Sequence, residues 1–325
     1  MIHSVNLTLC PAAGAEYGGW EGLRRELEEL GCDGVEGIWG GGEIPDDFPK
    51  ELLGGYHLTF FPDWLDFYRE DRKALLDKYG DMATVRRFYG GVGRETLMSL
   101  YRADLDRAEA LGARYVVFHV SDVSIVEGYT YRWLHRNREV IDASIEVINQ
   151  LLEGRPHTFA FLMENQWWPG FTFTEPEETA RLLEGVRYPG KGLLLDTGHL
   201  MNANLDLQTQ AEGAAFIAEM LRRHGNLCRC IRGVHLHQSL SGAYVRANTG
   251  QLPPDLPEDC VERFGVSYRH ILQVDRHRPW TDPAILPVLE KISPDFLTHE
   301  LQAGSREERR RAVSVQRALL ASGGF

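Results

Sequence analysis

Eight short apolar runs alternate with longer helix-like segments along almost the whole chain, and this alternation constrains the fold more than any other feature. Each run has the length of a strand, and the longer segments place apolar residues at the three-and-four spacing of an amphipathic helix. The predicted strands are residues 5–9, 34–39, 56–60, 115–120, 158–164, 192–196, 231–237 and 296–301. The predicted helices are residues 21–30, 95–111, 138–152, 176–185, 208–224, 283–292 and 306–321.

Eight strands with intervening helices and no break in composition predict an α/β fold, a (β/α)₈ TIM barrel that forms a single domain over residues 1–325. A doubly wound open sheet is the alternative. It usually carries a glycine-rich first turn, whereas the turn here, CPAAGAEYGGW, contains no G-x-G-x-x-G. Two long connections, residues 61–95 after the third strand and 240–280 after the seventh, are predicted to be lids or binding loops.

Charge and cysteine content restrict the partners. The net charge of −12 argues against nucleic acid as a partner, because nucleic-acid surfaces need clustered lysine and arginine. Five scattered cysteines fit reduced thiols better than a disulfide framework. No apolar run approaches the roughly 20 residues that span a bilayer, and the chain starts on a strand-like pattern without a signal segment. We expect a cytoplasmic protein without a membrane partner, and a homo-oligomer is compatible with the sequence.

Acidic and imidazole side chains stand at the ends of six predicted strands, where barrel active sites are built. Singly, each has an ordinary explanation as a structural histidine or a helix-capping carboxylate. Together, converging carboxylates require a positive partner, and carboxylate with imidazole suits Zn, Mn, Fe or Co. The residues are His57, His119, Glu164, Asp196, His199, His235, His237 and Glu300, with Asp275 and His277 in the loop that follows the seventh strand.

The run KGLLLDTGHLM shows this pattern most clearly. Leu193 to Leu195 read as a strand buried on both faces, and Asp196 closes it as a candidate metal ligand. Gly198 is predicted to let the chain turn sharply, so that His199 returns over the rim.

The order strand-Glu, strand-Asp-x-x-His, strand-His, Asp-x-His, strand-Glu resembles the xylose-isomerase-like barrel superfamily over residues 5–301. That superfamily includes ketose 3-epimerases, inosose dehydratases, hydroxypyruvate-isomerase-like proteins and zinc-dependent apurinic endonucleases. Resemblance to the sugar enzymes implies one divalent metal (Mn, Zn, Co or Mg) on Glu164, Asp196, His235 and Glu300, with His237 as the rival of His235. Resemblance to the endonucleases implies three zinc sites: His57, His119 and Glu164; Glu164, Asp196, His235 and Glu300; His199, Asp275 and His277.

The preferred interpretation is a metal-dependent isomerase or epimerase of a small carbohydrate or polyol, in which Glu164 and Glu300 move a proton beside a carbonyl. The alternative is a zinc-dependent phosphodiesterase, and a binding protein with decayed chemistry is the least favoured. If His199 joins Asp275 and His277 around a metal, phosphoester chemistry is favoured; if it bonds to substrate or to a neighbouring ligand, sugar chemistry is. The predicted substrate pocket comprises Trp64, Trp167, Trp168, Arg276 and Trp280.

Overall fold

In the computed structural model, which describes residues 1–325, eight parallel strands close into a barrel in sequence order. The strands are Ile2–Leu9 (β1), Gly34–Trp39 (β2), Leu53–His57 (β3), Tyr115–His119 (β4), Ala160–Glu164 (β5), Lys191–Asp196 (β6), Ile231–His235 (β7) and Phe296–His299 (β8). The predicted (β/α)₈ barrel is therefore confirmed.

Helices surround the barrel and cover its rim. They are Trp20–Leu30 (α1), Leu65–Tyr68 (α2), Arg72–Tyr79 (α3), Met82–Tyr89 (α4), Arg94–Leu111 (α5), Ile125–Thr130 (α6), Asn137–Leu152 (α7), Pro176–Gly185 (α8), Thr197–Asn202 (α9), Gln210–His224 (α10), Gly242–Asn248 (α11), Cys260–Val274 (α12), Leu286–Ile292 (α13) and Arg306–Ser322 (α14). None of them is long and apolar enough to cross a membrane.

Local sequence signals set the ends of several helices. Ser124 and Thr209 form capping boxes at the starts of α6 and α10, each with a glutamate three residues later. Gly31 ends α1 with φ of 65°, a left-handed conformation that favours glycine. These caps fix where each helix begins or ends, and hence where the connecting loops leave the barrel.

The third strand lies earlier than the sequence predicted, at Leu53–His57 rather than 56–60. Gly54 and Gly55 give a weak strand signal in the sequence. In the structure, the missing side chain at Gly55 leaves space for the ring of Tyr115 on the neighbouring strand. A Cβ atom on Gly55 would lie 2.1 Å from the Tyr115 ring. Strands β7 and β8 also end two residues before the predicted ends, at His235 and His299.

The two long connections fold into helices that the sequence did not predict. The segment after β3 forms α2, α3 and α4, and the segment after β7 forms α11 and α12. They pack against each other above the barrel mouth, with the rings of Phe88 and Phe264 edge-to-face at 5.7 Å and Arg87 paired with Asp259. The rim is therefore covered by chain that follows two distant strands.

Candidate metal centre

Five neighbouring strands, β3 to β7, end on side chains that can bind a metal at the barrel rim. His57, His119, Glu164, Asp196 and His235 are the last residues of β3, β4, β5, β6 and β7. The barrel register sets His119 beside Glu164 and Asp196 beside His235. Because parallel strands end at one rim, these side chains converge on a common volume.

Three groups of ligand atoms form at this rim, and within each group all atoms lie within 4.8 Å of one another. Glu164 belongs to two groups and links them. The first cluster contains His57, His119 and Glu164; the second contains Glu164, Asp196, His235 and Glu300; the third contains His199, His237, Asp275 and His277.

Hydrogen bonds on the outer side fix the direction of three rings. His57 donates Nδ1–H to the carbonyl of Leu58 (2.8 Å), His199 to that of Asn165 (3.0 Å) and His277 to that of Asp275 (3.1 Å). A carbonyl only accepts, so Nδ1 of each ring carries a proton and Nε2 faces the clusters. This is the arrangement that surrounding groups impose on metal-binding histidines.

His235 and His237, which the sequence left as rivals, lie in different places. Nδ1 of His235 lies 3.0 Å from Oε2 of Glu300 and 3.2 Å from Oε1 of Glu164, within the second cluster. His237 follows the end of β7, and its Nε2 lies 2.9 Å from Oδ2 of Asp196. Its Nδ1 lies 3.9 Å from Oδ1 of Asp275 and has no hydrogen-bond partner. The second cluster therefore contains His235, and His237 bridges it to the third.

Two buried carboxylate oxygens of the clusters have no hydrogen-bond partner, although imidazole nitrogens lie close by. Oε2 of Glu164 lies 3.0 Å from Nε2 of His119, and Oε2 of Glu300 lies 3.0 Å from Nδ1 of His235, yet neither contact has hydrogen-bond geometry. In each of these two clusters, oxygen and nitrogen atoms that can bind a metal thus lie close together without a hydrogen bond between them. Such a donor set fits a divalent cation.

The electrostatics of the clusters agree with this fit. Burial opposes ionisation of Glu164, yet His119 and His235 hold its pKa well below the usual range. Burial opposes protonation of His199, yet Asp196 and Asp275 hold its pKa well above the usual range. For His277, Asp275 and Glu300 outweigh burial and raise the pKa to about 9. Without a metal, protons on histidines balance the carboxylates, and bound cations would replace those protons.

The clusters open into a cavity of about 350 Å³. Six of their residues reach it: His57, His119, His199, Asp275, His277 and Glu300. Its walls are largely apolar and include Phe60, Trp167, Trp168, Tyr268 and Ile271. No lysine or arginine lines it. A ligand here meets aromatic walls and the metal-binding side chains, but no fixed cationic side chain.

The family follows from the sequence match. The family model described as the xylose isomerase-like TIM barrel matches residues 24–290, which is most of the chain. The protein belongs to the xylose isomerase-like TIM barrel family. A search of curated proteins found no match.

Solved structures with this fold include enzymes of both predicted kinds. L-ribulose 3-epimerase has a TM-score of 0.59 at 12% identity over 99% of this chain and 94% of that one. Endonuclease IV from Thermus thermophilus has a TM-score of 0.56 at 16% identity over 99% and 100%. The IOLI protein, solved with a binding zinc atom, has a TM-score of 0.52 at 13% identity over 100% and 96%. At these identities the similarity shows the shared barrel alone.

In this xylose isomerase-like barrel, only part of the predicted substrate pocket lines the cavity. Trp167 and Trp168 do so, whereas Trp64 and Trp280 are buried behind it. The Trp64 indole donates to the carbonyl of Ser121 (2.6 Å), and the Trp280 indole donates to that of His237 (2.8 Å). Arg276 is exposed and lies outside the lining. The two buried indoles support the rim from behind, which corrects the expectation that they contact substrate.

The structure explains Gly198 by the space it leaves, not by the predicted sharp turn. It lies in α9 and is not among the residues with positive φ. Asp196 caps this helix, with Oδ1 accepting the backbone N–H of His199 (2.6 Å). A Cβ atom at Gly198 would lie 2.0 Å from Cε1 of His237. The glycine therefore provides space for the His237 ring.

Sequence reasoning missed Glu36. This residue on β2 is 3% exposed, and its Oε2 lies 3.1 Å from Nε2 of His235. The available signal was a carboxylate inside the apolar strand GVEGIW. A buried carboxylate there needs hydrogen-bond donors within the barrel.

Proposed function

We propose that this protein is a metal-dependent hydrolase of small phosphoesters that holds three divalent ions. The observation that supports this best is the third cluster, in which the ligand atoms of His199, His237, Asp275 and His277 all lie within 4.8 Å of one another. The sequence singled out this grouping as the feature that favours phosphoester chemistry over sugar chemistry. The first two clusters also share Glu164, which supports the same proposal.

Charge balance favours more than one ion. Four carboxylates belong to the clusters, and no lysine or arginine lines the cavity. With one divalent ion, protons on the histidines of the other clusters still balance the carboxylates there, so the rim has little net charge. Three divalent ions replace those protons and leave an excess of positive charge, even when Glu36 is counted as a fifth carboxylate. A phosphate group is therefore attracted more strongly in the second case.

Bound divalent ions of this kind stabilise negative charge on phosphoryl oxygens and lower the pKa of water. Each cluster would hold one ion. The first offers two imidazoles and Glu164, the second offers three carboxylates and His235, and the third offers Asp275 and histidines. The outer hydrogen bonds to backbone carbonyls keep the imidazole rings from turning away. Trp167 and Trp168 exclude water from one side of the cavity.

The cavity suits a small substrate. Pockets for small molecules occupy roughly 300 to 1,000 Å³, and this one has about 350 Å³ and is lined in part by α12. The net charge of −12 and the lack of basic residues in the cavity disfavour a nucleic-acid strand. We therefore place the substrate among small phosphoesters.

The test is hydrolysis of bis(p-nitrophenyl) phosphate, p-nitrophenyl phosphate and abasic duplex DNA by protein loaded with zinc or manganese. We expect hydrolysis of a small ester, loss after chelation, and loss in Glu164→Gln. Glu28→Gln, which changes an exposed carboxylate on α1, is the matched control and should retain activity. If the fully loaded protein hydrolyses none of these esters, the proposal is wrong.

A sugar or polyol isomerase or epimerase is the second candidate. It is favoured by the closeness of Glu164 and Glu300 to Nδ1 of His235, at 3.2 and 3.0 Å, because two neighbouring carboxylates can serve one to take a proton and the other to return it. The neutral aromatic walls also suit the apolar face of a sugar. Incorporation of solvent deuterium into ketoses or inososes, followed by NMR, would support this candidate if hydrolysis is absent.

A further inference from the structure

Glu36 lines the cavity, and its carboxylate contacts side chains of the barrel interior. Its Oε2 accepts from the hydroxyl groups of Tyr115 (2.7 Å) and Thr298 (2.8 Å) and lies 3.1 Å from Nε2 of His235. Its Oε1 lies 2.9 Å from the same nitrogen. Glu36 belongs to none of the three clusters, so its contacts with them run through His235 alone.

The direction of these bonds follows from the groups present. A carboxylate only accepts, so both hydroxyl groups donate and Nε2 of His235 carries a proton. Nδ1 is likewise hydrogen-bonded to Oε1 of Glu164, so it too carries a proton in the metal-free protein. A cation in the second cluster would replace that proton on Nδ1. That atom is 3.0 Å from Oε2 of Glu300, 3.2 Å from Oε1 of Glu164 and 3.7 Å from Oδ2 of Asp196.

We infer that Glu36 is a positioning residue that holds His235 in the tautomer able to bind a cation in the second cluster. Without it, the ring can carry its proton on Nδ1 and donate it to Glu164 or Glu300, which removes the lone pair from the metal site. The inference rests on a cation in the second cluster, as in the proposed function, but not on the reaction catalysed.

The surroundings of Glu36 are built to keep its carboxylate in place. Glu36, Tyr115 and Thr298 come from β2, β4 and β8, alternate strands that contribute side chains to one layer of a barrel interior. The oxygen atoms of the Tyr115 and Thr298 hydroxyl groups also lie 2.9 Å apart. Gly55 leaves the space that the Tyr115 ring occupies. Neither hydroxyl group bonds to His235, so each can be removed as a control.

The experiment compares the wild type with Glu36→Gln, Glu36→Asp and Thr298→Val. Zinc affinity is measured by competition with a chromophoric chelator, and the proton position on His235 is measured by long-range ¹H–¹⁵N NMR of zinc-loaded protein. We expect the wild-type ring to carry Nε2–H with Nδ1 bound. Removing a residue that orients a metal ligand lowers affinity by roughly 10- to 100-fold.

Glu36→Gln preserves the side-chain volume. We expect it to lower the affinity for one ion by roughly 10- to 100-fold and to alter the NMR signals of His235. Glu36→Asp should recover part of the affinity, and Thr298→Val should change it by less than about threefold, because His235 keeps its partner. Thermal unfolding of each variant checks that the barrel is intact.

Two results would overturn the inference while leaving the metal sites in place: wild-type affinity for every ion in Glu36→Gln, or a zinc-loaded wild type in which His235 carries its proton on Nδ1. An equal loss in Thr298→Val would also overturn it, because the effect would then come from general disturbance of the interior. A wild-type chain that binds no divalent ion contradicts both this inference and the proposed function.

Discussion

Glu164 is the residue whose replacement should change the site most, because it belongs to two clusters and is fully buried between them. We predict that Glu164→Gln lowers the number of tightly bound ions by two, whereas His277→Ala, which affects the third cluster only, lowers it by one. Elemental analysis of dialysed protein measures both. Equal losses in the two variants would contradict the assignment of Glu164 to both clusters.

His277 gives a pH dependence with a definite sign. Burial favours its neutral form, but Asp275 and Glu300 raise its pKa from 6.5 to about 9 in the metal-free protein. A folded-state pKa above the unfolded value contributes stability that is complete below pH 6.5 and is lost as the pH rises to about 9. A bound cation must displace this proton, so metal affinity rises over the same window.

We therefore predict that the increase in melting temperature caused by zinc grows from pH 6.5 to about 9. Thermal unfolding with stoichiometric zinc and with a chelator, at several pH values, measures it. In His277→Gln the dependence should be weaker. A zinc-induced increase that shrinks with rising pH would contradict the assignment.

At the scale of elements, the position of α9 depends on its close contact with His237, which follows the end of β7. A methyl group at Gly198 would collide with the ring of His237, since Cβ would lie 2.0 Å from Cε1. We predict that Gly198→Ala lowers the free energy of unfolding by about 1–3 kcal/mol, the range for overpacking a core, and weakens the third metal site.

Gly265→Ala is the matched control for this substitution. Gly265 lies within α12, and an added Cβ there meets nothing within 4 Å. Because alanine favours helix over glycine, this change should stabilise the protein by about 0.5–1 kcal/mol. Chemical denaturation measures both variants. A Gly198→Ala protein as stable as the wild type, with unchanged metal affinity, would show that the His237 ring has freedom to move.

Helix α12 links the loop over the cavity to the third cluster. Phe264 and Tyr268 on this helix line the cavity, and Asp275 follows its last residue directly. His277, two residues later, has φ of 43°, a strained conformation for a residue with a side chain. Binding of a cation by Asp275 and His277 should therefore hold the end of α12 against the rim.

We predict that metal slows amide hydrogen exchange in residues 260–277 more than in α14, which is on the outside of the barrel and carries no cluster residue. Exchange measured by mass spectrometry with and without zinc tests this. Equal protection in both segments, or none in α12, would contradict the link.

At the scale of the whole molecule, the sequence was sufficient to predict the barrel and to name residues that lie at its rim. Buried parallel strands read as continuous apolar runs, and the closed topology then requires their ends to meet. That is why ligand residues as distant in sequence as His57 and Glu300 could be grouped before the structure was known. The family match over residues 24–290 agrees with the barrel.

Features that depend on the path of the loops could not be predicted. Trp64 and Trp280 are apolar residues near the rim, and only the course of their loops decides that they lie behind the cavity. His235 and His237 share one strand face in the sequence, but β7 ends at His235 and separates them. Glu36 was missed because one carboxylate within a short strand resembles a solvent-facing position until its buried partners are known.

The central claim is that the rim holds three divalent ions per chain, and metal content tests it most directly. The measurement is elemental analysis of protein purified without chelators and then dialysed, combined with an accurate protein concentration. The account predicts three ions per chain, distributed over the three clusters. A single ion retained under saturating metal would contradict it and would favour the isomerase or epimerase.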